Sequence, residues 1–370
     1  MDGKPNAPGT VMARAEDVRA QIHSILLAWG MAADLAETTT DAMVETDLLG
    51  VDSHGISMLM GYETHWRAGK LDLTARPKVV RETPCMALLD AGAGLGHPVS
   101  TMAMTMAVDK ALQVGMAVVG VRNSHHFGAA GVYARIAARR GAIGMVTSAT
   151  RGVAMVPTNA GVPVLGTNPI AFAAPTQRNL PFVLDMATTT VASGKVKVYH
   201  LNDKPLPDGW VVDGQGRSIT DPHEAHRQVT ARPEGGITPL GGTADMASHK
   251  GYGLAMMAHI LGGTLTGASF SPIRNRTQTG TAPDDLGHFF MAIDPRAFRD
   301  EGAFEADLND VIDELHATPP AQPGGKVLVA GDPEEAARIR RLKDGIPIPA
   351  MLGAQLREIC DRCGVPFLLG

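Results

Sequence analysis

The segment Arg122-Asn123-Ser124-His125-His126-Phe127-Gly128-Ala129-Ala130-Gly131 places two adjacent histidines between two patterns of secondary structure. The apolar residues 116–121 before it predict a short buried strand, and the small residues 129–139 after it predict a helix. Amides at the start of a helix favour negative charge, and a neutral imidazole exchanges a proton near neutral pH. This strand-to-helix junction is therefore a candidate active site of an α/β protein.

A second histidine motif supports the catalytic interpretation. A lone histidine at such a junction is as often a structural hydrogen-bonding group as a catalytic one. However, Asp52-Ser53-His54-Gly55 follows a helical pattern over 32–49, and Gly50 provides the C-terminal stop of that helix. Two histidine motifs at the ends of regular elements favour one shared site.

The rest of the chain alternates between helical and extended patterns, which indicates the α/β class. Further strands are predicted over 78–81, 86–90, 142–147, 169–174, 182–186, 286–293 and 327–330. Further helices are predicted over 15–29, 65–70, 98–114, 252–261 and 304–315, from 332 and from about 349. Residues 1–10 are expected to form a loose tail, and 204–242, rich in Pro, Gly, Asp and Thr, to form loops.

The composition excludes several classes of protein. The 370 residues are 44% hydrophobic and 19% charged, which is typical of an ordinary enzyme with a sizeable core. A net charge of -5 without a basic block argues against nucleic acid as a partner. We find no apolar run of membrane-spanning length and no signal-peptide pattern, and therefore expect a cytoplasmic protein without a membrane partner.

The cysteines do not predict a disulfide framework or a metal site. Three cysteines cannot all pair, which fits a reducing compartment. Cys360 and Cys363 form a CxxC pair without a second pair, so we interpret them as incidental thiols of a helix. No metal is expected.

Standard cofactor and nucleophile motifs are missing from the sequence. It contains no G-x-G-x-x-G, P-loop, HExxH or GxSxG pattern, so a Rossmann dinucleotide fold has no support. Asp185 ends a predicted strand, where a carboxylate either faces a crevice or caps the following turn. His249-Lys250-Gly251 opens a predicted helix and is a candidate phosphate site, although Lys250 alone would be interpreted as a solvated residue.

Taken together, eight motifs resemble the malate/L-lactate dehydrogenase family, which stands apart from the Rossmann-type dehydrogenases and includes ureidoglycolate, sulfolactate and diketogulonate enzymes and a piperideine-2-carboxylate reductase. The motifs follow the family's order over nearly the whole chain. They are Asp52-Ser53-His54-Gly55, Asn123-Ser124-His125-His126-Phe127-Gly128, Leu165-Gly166-Thr167-Asn168-Pro169-Ile170-Ala171, Asp185-Met186-Ala187-Thr188, Gly194-Lys195, Leu240-Gly241-Gly242, His249-Lys250-Gly251 and Gly287-His288-Phe289-Phe290.

The resemblance implies a non-Rossmann α/β fold that binds NAD or NADP, and a homodimer with its sites near the subunit interface. Because the terminal helices are amphipathic, we expect them to pack together. The predicted organisation is a helical lobe of 1–76 plus 295–370, a central α/β lobe of 77–120 plus 240–294, and a cofactor-binding lobe of 121–239.

The resemblance also assigns residues to the cofactor. Thr167, Asn168 and Pro169 would line it, Asp185, Met186 and Ala187 would lie along it, and Lys195 belongs to the same group. His249, Lys250 and Gly251 would meet its phosphates, which agrees with the preference of a helix start for anions.

For the chemistry, a hydride from the cofactor must be matched by a proton from an acid on the other atom. Similarity to the family makes His54 the acid/base, Ser53 its hydrogen-bonding neighbour at the substrate, and His126 a second polar group at the reacting centre. His125 is given a structural role.

One departure from the family's pattern concerns the substrate. Many members have an arginine at the position of Met58 and often another basic residue at that of Gly61. Either another cation, Arg151 or Arg122, replaces them, or the substrate is less anionic at that end. We therefore expect a pocket that is more apolar than usual.

The sequence favours an NAD(P)-dependent oxidoreductase that interconverts a small 2-hydroxy acid and a 2-keto acid. One alternative is reduction of a cyclic imino acid such as piperideine- or pyrroline-2-carboxylate. Another, from a different class, is an inactive cofactor-binding protein, which retention of Ser53, His54 and His126 argues against.

Overall fold

The computed structural model describes residues 9–278 and 280–370 of the chain. Its strands are β1 (Val11–Ala13), β2 (Lys78–Glu82), β3 (Met86–Asp90), β4 (Met116–Ser124), β5 (Ile143–Ala149), β6 (Ile170–Ala174), β7 (Phe182–Met186), β8 (Val211–Val212), β9 (Gly236–Ile237), β10 (Leu286–Ile293) and β11 (Ile346–Ile348). Its helices are α1 (Ala15–Ala28), α2 (Ala33–Leu48), α3 (Leu59–Arg67), α4 (Gly96–Val114), α5 (Ala130–Arg139), α6 (Ser193–Leu201), α7 (Pro222–Ala231), α8 (His249–His259), α9 (Ser271–Thr277), α10 (Ala303–Ala317), α11 (Asp332–Asp344) and α12 (Ala350–Cys363).

A seven-stranded mixed sheet organises the fold, with the order β2-β3-β4-β10-β5-β6-β7. The apolar sequence of β10 is buried almost throughout, as expected of a central strand. It pairs antiparallel with β4 on one side and with β5 on the other. The strands that flank the histidine turn in sequence are therefore held together by a segment from much later in the chain.

Helices α4 and α5 cover one face of this sheet. Small side chains allow close packing there: a Cβ on Gly144 of β5 would lie 2.6 Å from the Cβ of Ala137 on α5. The shared core contains Val119, Val146 and Phe290, which are fully buried. This close approach holds α5, the helix that follows the histidine turn, against the sheet.

The two ends of the chain pack against each other. β1 pairs antiparallel with β11, and α1 contacts α12. The free thiols of α12 take part in this contact, because Cys360 Sγ accepts a hydrogen bond from Gln21 Nε2 (3.1 Å) and Cys363 Sγ accepts one from Trp29 Nε1 (3.0 Å). This environment gives both cysteines a packing role.

The structure corrects several predicted elements. The predicted loop region 204–242 contains α7, which begins after Asp221 with the Asp221 carboxylate accepting from the Glu224 amide (2.7 Å), and the short strands β8 and β9. The predicted strand 327–330 is irregular, although the Ala330 carbonyl accepts from the Val183 amide of β7 (3.0 Å). The predicted tail 1–10 lies largely outside the described residues, and β1 follows it directly.

The predicted lobe boundaries do not coincide with breaks in the sheet. The boundary at 121 falls inside β4, and strands from both sides of it share one sheet. Helix α10 contacts the turn between β6 and β7, where Asn309 Oδ1 accepts from the amides of Arg178 (3.1 Å) and Asn179 (3.0 Å). The division into three lobes stays a prediction.

Within the part of the chain that the structure describes, no helix has the length and apolar character needed to span a membrane.

Replacing Gly55 with alanine should destabilise the fold where α2 meets the loop after it. The new methyl group would overlap the buried carboxyl group of Asp47, so we expect the free energy of unfolding to fall by about 1–3 kcal/mol. Gly61→Ala is the matched control, because among the described residues nothing lies within 4 Å of its added Cβ. It should be neutral or stabilising by up to about 1 kcal/mol, as usual for Gly→Ala in a helix. Urea denaturation showing equal stabilities for the two variants would contradict the steric argument.

Candidate active site

A cavity of about 610 Å³ lies between the histidine turn, α3 and the ends of β5 and β7. It collects residues from both histidine motifs and from the predicted cofactor motifs. The sequence-predicted residues that line it are Ser53, His54, His126, Thr167, Pro169, Asp185, Met186 and Ala187.

The hydrogen bonds of His126 define its tautomer. The Gly128 amide donates to His126 Nδ1 (3.3 Å), so this nitrogen is an acceptor, and the Tyr62 hydroxyl at 2.7 Å from it also donates. The proton of the neutral ring therefore lies on Nε2. Burial, followed by the neighbouring histidines, lowers the pKa of His126 well below its ordinary value. His126 is thus a neutral donor through Nε2.

His54 lies beside His126 in a different environment. The two ring centroids are 5.4 Å apart, and His54 Nδ1 is 2.8 Å from the Ser53 hydroxyl. Ser53 is exposed, so this hydroxyl connects the imidazole with solvent. Burial lowers the pKa of His54 and favours its neutral form.

The loop that carries His54 is held in place by contacts with Asp47 and Arg341. The Ile56 amide donates to the carboxyl group of Asp47 (2.8 Å), which packs directly against Gly55. Arg341 of α11 donates to the Asp47 carbonyl (2.6 Å) and pairs with the Asp52 carboxylate. These contacts leave little freedom for the His54 backbone.

His125 belongs to a network of polar side chains that line the cavity. His125 Nε2 lies 2.7 Å from His65 Nδ1 and 3.2 Å from Asp284 Oδ2, and Arg151 Nε lies 2.7 Å from Asp284 Oδ1. Burial alone would raise the pKa of Asp284, but hydrogen bonds from His125 and His65 and the charge of Arg151 bring it below its ordinary value. Asp284 is therefore the ionised partner of Arg151.

The three side chains His65, His125 and Asp284 also have a ligand-like arrangement, with their potential donor atoms within 4.8 Å of one another. Arg151 Nη1 lies 3.2 Å from His65 Nε2 and can only donate, so the proton of His65 lies on Nδ1. The arrangement is therefore a hydrogen-bonded network.

Two further buried histidines lie near the histidine turn, and one of them, His288, lines the cavity. His288 Nδ1 lies 2.8 Å from the Ser148 hydroxyl and its Nε2 lies 2.9 Å from the Ser124 hydroxyl, and burial lowers its pKa to about 3. His97 packs edge-on against Tyr62, and burial lowers its pKa to about 3 as well. Both support the histidine turn as neutral residues.

Asp185 caps the helix that follows the histidines. Its Oδ2 accepts from the Gly131 amide in the first turn of α5 (2.7 Å). The start of α5, which the sequence suggested as a site for negative charge, is thus already occupied by a carboxylate. Burial raises the pKa of Asp185 to about 6.

The structure does not bring the remaining predicted cofactor residues into the cavity lining. Asn168 is buried, with Oδ1 accepting from the Thr150 amide (3.1 Å) and Nδ2 donating to the Ala255 carbonyl (3.0 Å). Gly251 donates its amide to the Leu240 carbonyl (3.1 Å), while His249 and Lys250 are exposed at the start of α8. Their predicted contacts with the cofactor stay predictions.

Another group of residues at the cavity suits a nicotinamide dinucleotide. Thr167 and Pro169 line the cavity together with Ala192 and Ser193, where α6 begins, and Lys195 lies in the first turn of that helix. At Gly194 an added Cβ would meet nothing within 4 Å of the described residues, so the backbone there is open to a ligand. A helix start with a nearby cation suits a pyrophosphate.

Met58 and Gly61 both line the cavity, so the departure from the expected basic residues falls inside the site. Of the two replacement cations considered, Arg151 lines the cavity. Arg122 instead pairs with Asp90 (3.2 Å). The structure thus selects Arg151 as the nearby cation.

Sequence reasoning missed Tyr62, His65 and Asp284. Tyr62 and His65 lie one turn apart on α3, and their partners lie 60 or more positions later in the chain. The sequence shows a tyrosine and a histidine with a spacing that puts them on one helix face, but no sequence pattern indicates their partners.

Neutral histidines that can donate and accept protons, in one cavity with a wall that suits a dinucleotide, define the site of an oxidoreductase. A family model described as malate/L-lactate dehydrogenase matches residues 13–357. The chain therefore belongs to the malate/L-lactate dehydrogenase family, which confirms the resemblance and makes it a dehydrogenase or reductase that uses NAD or NADP.

Individual relatives agree over nearly their whole length. Malate dehydrogenase from Pyrococcus horikoshii is 36% identical over 346 residues, covering 93% of this chain and 93% of the relative. Delta(1)-pyrroline-2-carboxylate reductase from Ancylobacter novellus is 30% identical over 348 residues, covering 93% of this chain and 97% of the relative. The crystal structure of malate dehydrogenase from Entamoeba histolytica has a TM-score of 0.90 and 31% identity, covering 96% of this chain and 99% of that one. The non-Rossmann α/β fold is thereby confirmed.

Asp185→Asn should change how the stability of the protein depends on pH. The folded-state pKa of about 6 lies above the unfolded value near 3.8, so the stability contributed by protonated Asp185 is fully present below pH 3.8 and is lost as the pH rises through 6. Asparagine keeps an oxygen for the Gly131 amide without the charge. Relative to the native protein, the variant should gain about 2–3 kcal/mol in unfolding free energy between pH 4 and pH 7. Denaturation curves across this range test it, with the exposed Asp208→Asn as control; a pH-independent difference would refute the assignment.

Proposed function

We propose that this protein interconverts a small 2-hydroxy acid and the corresponding 2-keto acid, with NAD or NADP as the hydride carrier. The observation that carries the proposal is the pair His54 and His126, which line one cavity with ring centroids 5.4 Å apart and different hydrogen-bonding states. The family supports the reaction class.

In this proposal His126 orients and polarises the substrate. Its Nδ1 accepts from Tyr62 and Gly128, so its Nε2–H is available to the oxygen of a keto group. A neutral imidazole donor does not have to lose its proton to stabilise charge that develops on that oxygen. The donation strengthens as the carbonyl becomes an alkoxide.

His54 supplies the proton. In the reducing direction its imidazolium gives a proton to the oxygen, and in the oxidising direction its neutral ring accepts the proton of the hydroxyl. Burial favours the neutral ring, which makes the imidazolium a stronger acid. The exposed Ser53 hydroxyl, 2.8 Å from Nδ1, lets the ring exchange protons with solvent.

The cofactor would lie along the wall that suits a dinucleotide and, when bound, supplies or takes up the hydride. Thr167, Pro169, Met186 and Ala187 would contact it, and Lys195 would meet its phosphates from the start of α6. Asn168, buried behind that wall, would support it indirectly by holding the segment of Thr150 in place.

A cyclic imino acid is the second candidate substrate. The relative from Ancylobacter novellus carries that activity in its name and is 30% identical over 93% of this chain. The chemistry would need the same groups, because the hydride goes to the carbon of C=N and His54 protonates the nitrogen.

The test is to follow oxidation of NADH and of NADPH with a panel of 2-keto acids and cyclic imino acids, on the native protein and on His54→Ala. We expect turnover with at least one keto acid and a loss of about 10²–10⁴-fold in kcat in the variant, the usual worth of a general acid. His23→Ala, on α1 outside the cavity, is the matched control. Undiminished activity of His54→Ala would refute the catalytic assignment, and cofactor binding without any turnover would favour the inactive alternative.

We infer a homodimer, supported by the apolar face of the sheet opposite α4 and α5. The strand register pairs six apolar residues side by side, so that they form one row across the sheet. They are Met86, Val118, Met291, Met145, Phe172 and Leu184. All six are partly or largely exposed, and Met86 is 51% exposed. A continuous apolar row of this length favours a protein partner. A second copy of this chain can be that partner without a different protein being required.

Sedimentation analysis tests this assembly. We expect the native protein to sediment as a dimer, and Met291→Glu, which places a charge in the middle of the row, to shift it towards a folded monomer. Met351→Glu, on the exposed surface of α12, is the matched control. A native monomer, or a Met291→Glu dimer as stable as the native one, would contradict the inference.

We also infer a cytoplasmic location, supported by the free thiols of Cys85, Cys360 and Cys363. Recovery of the protein with the membrane or secreted fraction would contradict it.

A further inference from the structure

The charged side chains that line the cavity form two groups. Among the described lining residues there are two guanidinium groups, Arg135 and Arg151, and three carboxyl groups, Asp185, Asp284 and Glu334. The first group surrounds Arg135, whose Nη1 lies 3.3 Å from Glu335 Oε2 and whose charge acts on Asp185 at the end of β7. This group belongs to the wall assigned to the cofactor.

The second group lies beside the histidines and contains a single cation. Arg151 uses Nε for Asp284 (2.7 Å) and Nη1 for His65 (3.2 Å). Within the described residues this leaves Nη2 as its one nitrogen without a partner. Arg151 is 36% exposed, so Nη2 can reach a ligand. Among the described residues of this group, Arg151 is therefore the one guanidinium that can pair with a substrate carboxylate, and no second cation is present to pair with another.

Large apolar side chains also line the cavity and form its apolar wall. They are Leu49, Val51, Met58, Val132 and Leu286, which come from four separate segments of the chain. Met58 follows His54 by four residues in the sequence. A carboxylate placed against these side chains would lose hydration without gaining a partner, which is costly.

We infer that the substrate is a monocarboxylate with an apolar side chain, with its one carboxylate at Arg151 and its side chain against Met58, and that dicarboxylates are poor substrates. This inference rests on the proposed function and names its substrate class. A monocarboxylate substrate would distinguish this chain from relatives whose names specify malate, which is a dicarboxylate.

The expected discrimination follows from the cost of leaving a charged group unpaired. A site that lacks the partner for a polar substrate group typically discriminates by about 10- to 100-fold or more in kcat/KM. A preference of at least about tenfold for the monocarboxylate is therefore expected.

The test compares keto acids matched in chain length on the native enzyme with its preferred cofactor. The pairs are 2-oxobutanoate with oxaloacetate, and 2-oxopentanoate with 2-oxoglutarate. We expect the monocarboxylate to have the higher kcat/KM in both pairs. Equal or higher kcat/KM for the dicarboxylates would overturn this inference while leaving the proposed function intact. No turnover with any keto acid would overturn the proposed function, and this inference with it.

Met58→Arg tests the position of the apolar wall. A guanidinium there should raise kcat/KM for oxaloacetate relative to 2-oxobutanoate by about tenfold or more. Met58→Leu keeps the wall apolar and should retain the native preference, and Met351→Arg is the same change outside the cavity. An unchanged preference in folded Met58→Arg that still binds cofactor would overturn the role of Met58. The comparison on the native enzyme stands independently of how the variants fold.

Discussion

The buried carboxyl group of Asp47 determines where the loop that carries His54 can lie. Burial raises its pKa to about 8, so near neutral pH it is largely a carboxylic acid, and its oxygen accepts the Ile56 amide at 2.8 Å. Gly55 packs against it so closely that no side chain fits. Arg341 of α11 donates a hydrogen bond to the backbone carbonyl of Asp47. The position of His54 therefore depends on packing between residues from both halves of the chain, and not on the loop alone.

His54 and His126 differ in their chemistry because their surroundings differ. His126 accepts two hydrogen bonds at Nδ1 and is confined to one tautomer, whereas the Nδ1 of His54 faces a hydroxyl that can donate or accept. The first is suited to hold an oxygen and the second to move a proton. Neutral His97 and His288 behind them provide shape without adding charge to the site.

Local sequence patterns predicted the elements whose pattern is strong. The bounds of β7 and β10 follow from continuous apolar runs, and His54 and His126 were found because both follow clear stops of regular structure. Helix α7 is not predicted because the prolines and glycines of the surrounding segment 204–242 are loop signals, although Asp221 and Pro222 form a good helix start. β1 and β11 are too short for any periodicity. Tyr62 and Asp284 depend on partners far away in sequence, and the burial of Asn168 depends on α8, so no local pattern could reveal these roles.

The central place of β10 has a consequence for biosynthesis. β4 and β5 leave the ribosome early, but the strand that joins them follows after more than a hundred further residues, on the order of ten seconds of translation. Throughout that interval both strands have an unpaired edge, and Ser124 lacks the imidazole of His288 that lies 2.9 Å from it in the finished protein. The nascent chain therefore needs protection from edge-to-edge association at this stage, and catalytic competence arrives only when most of the polypeptide has been made.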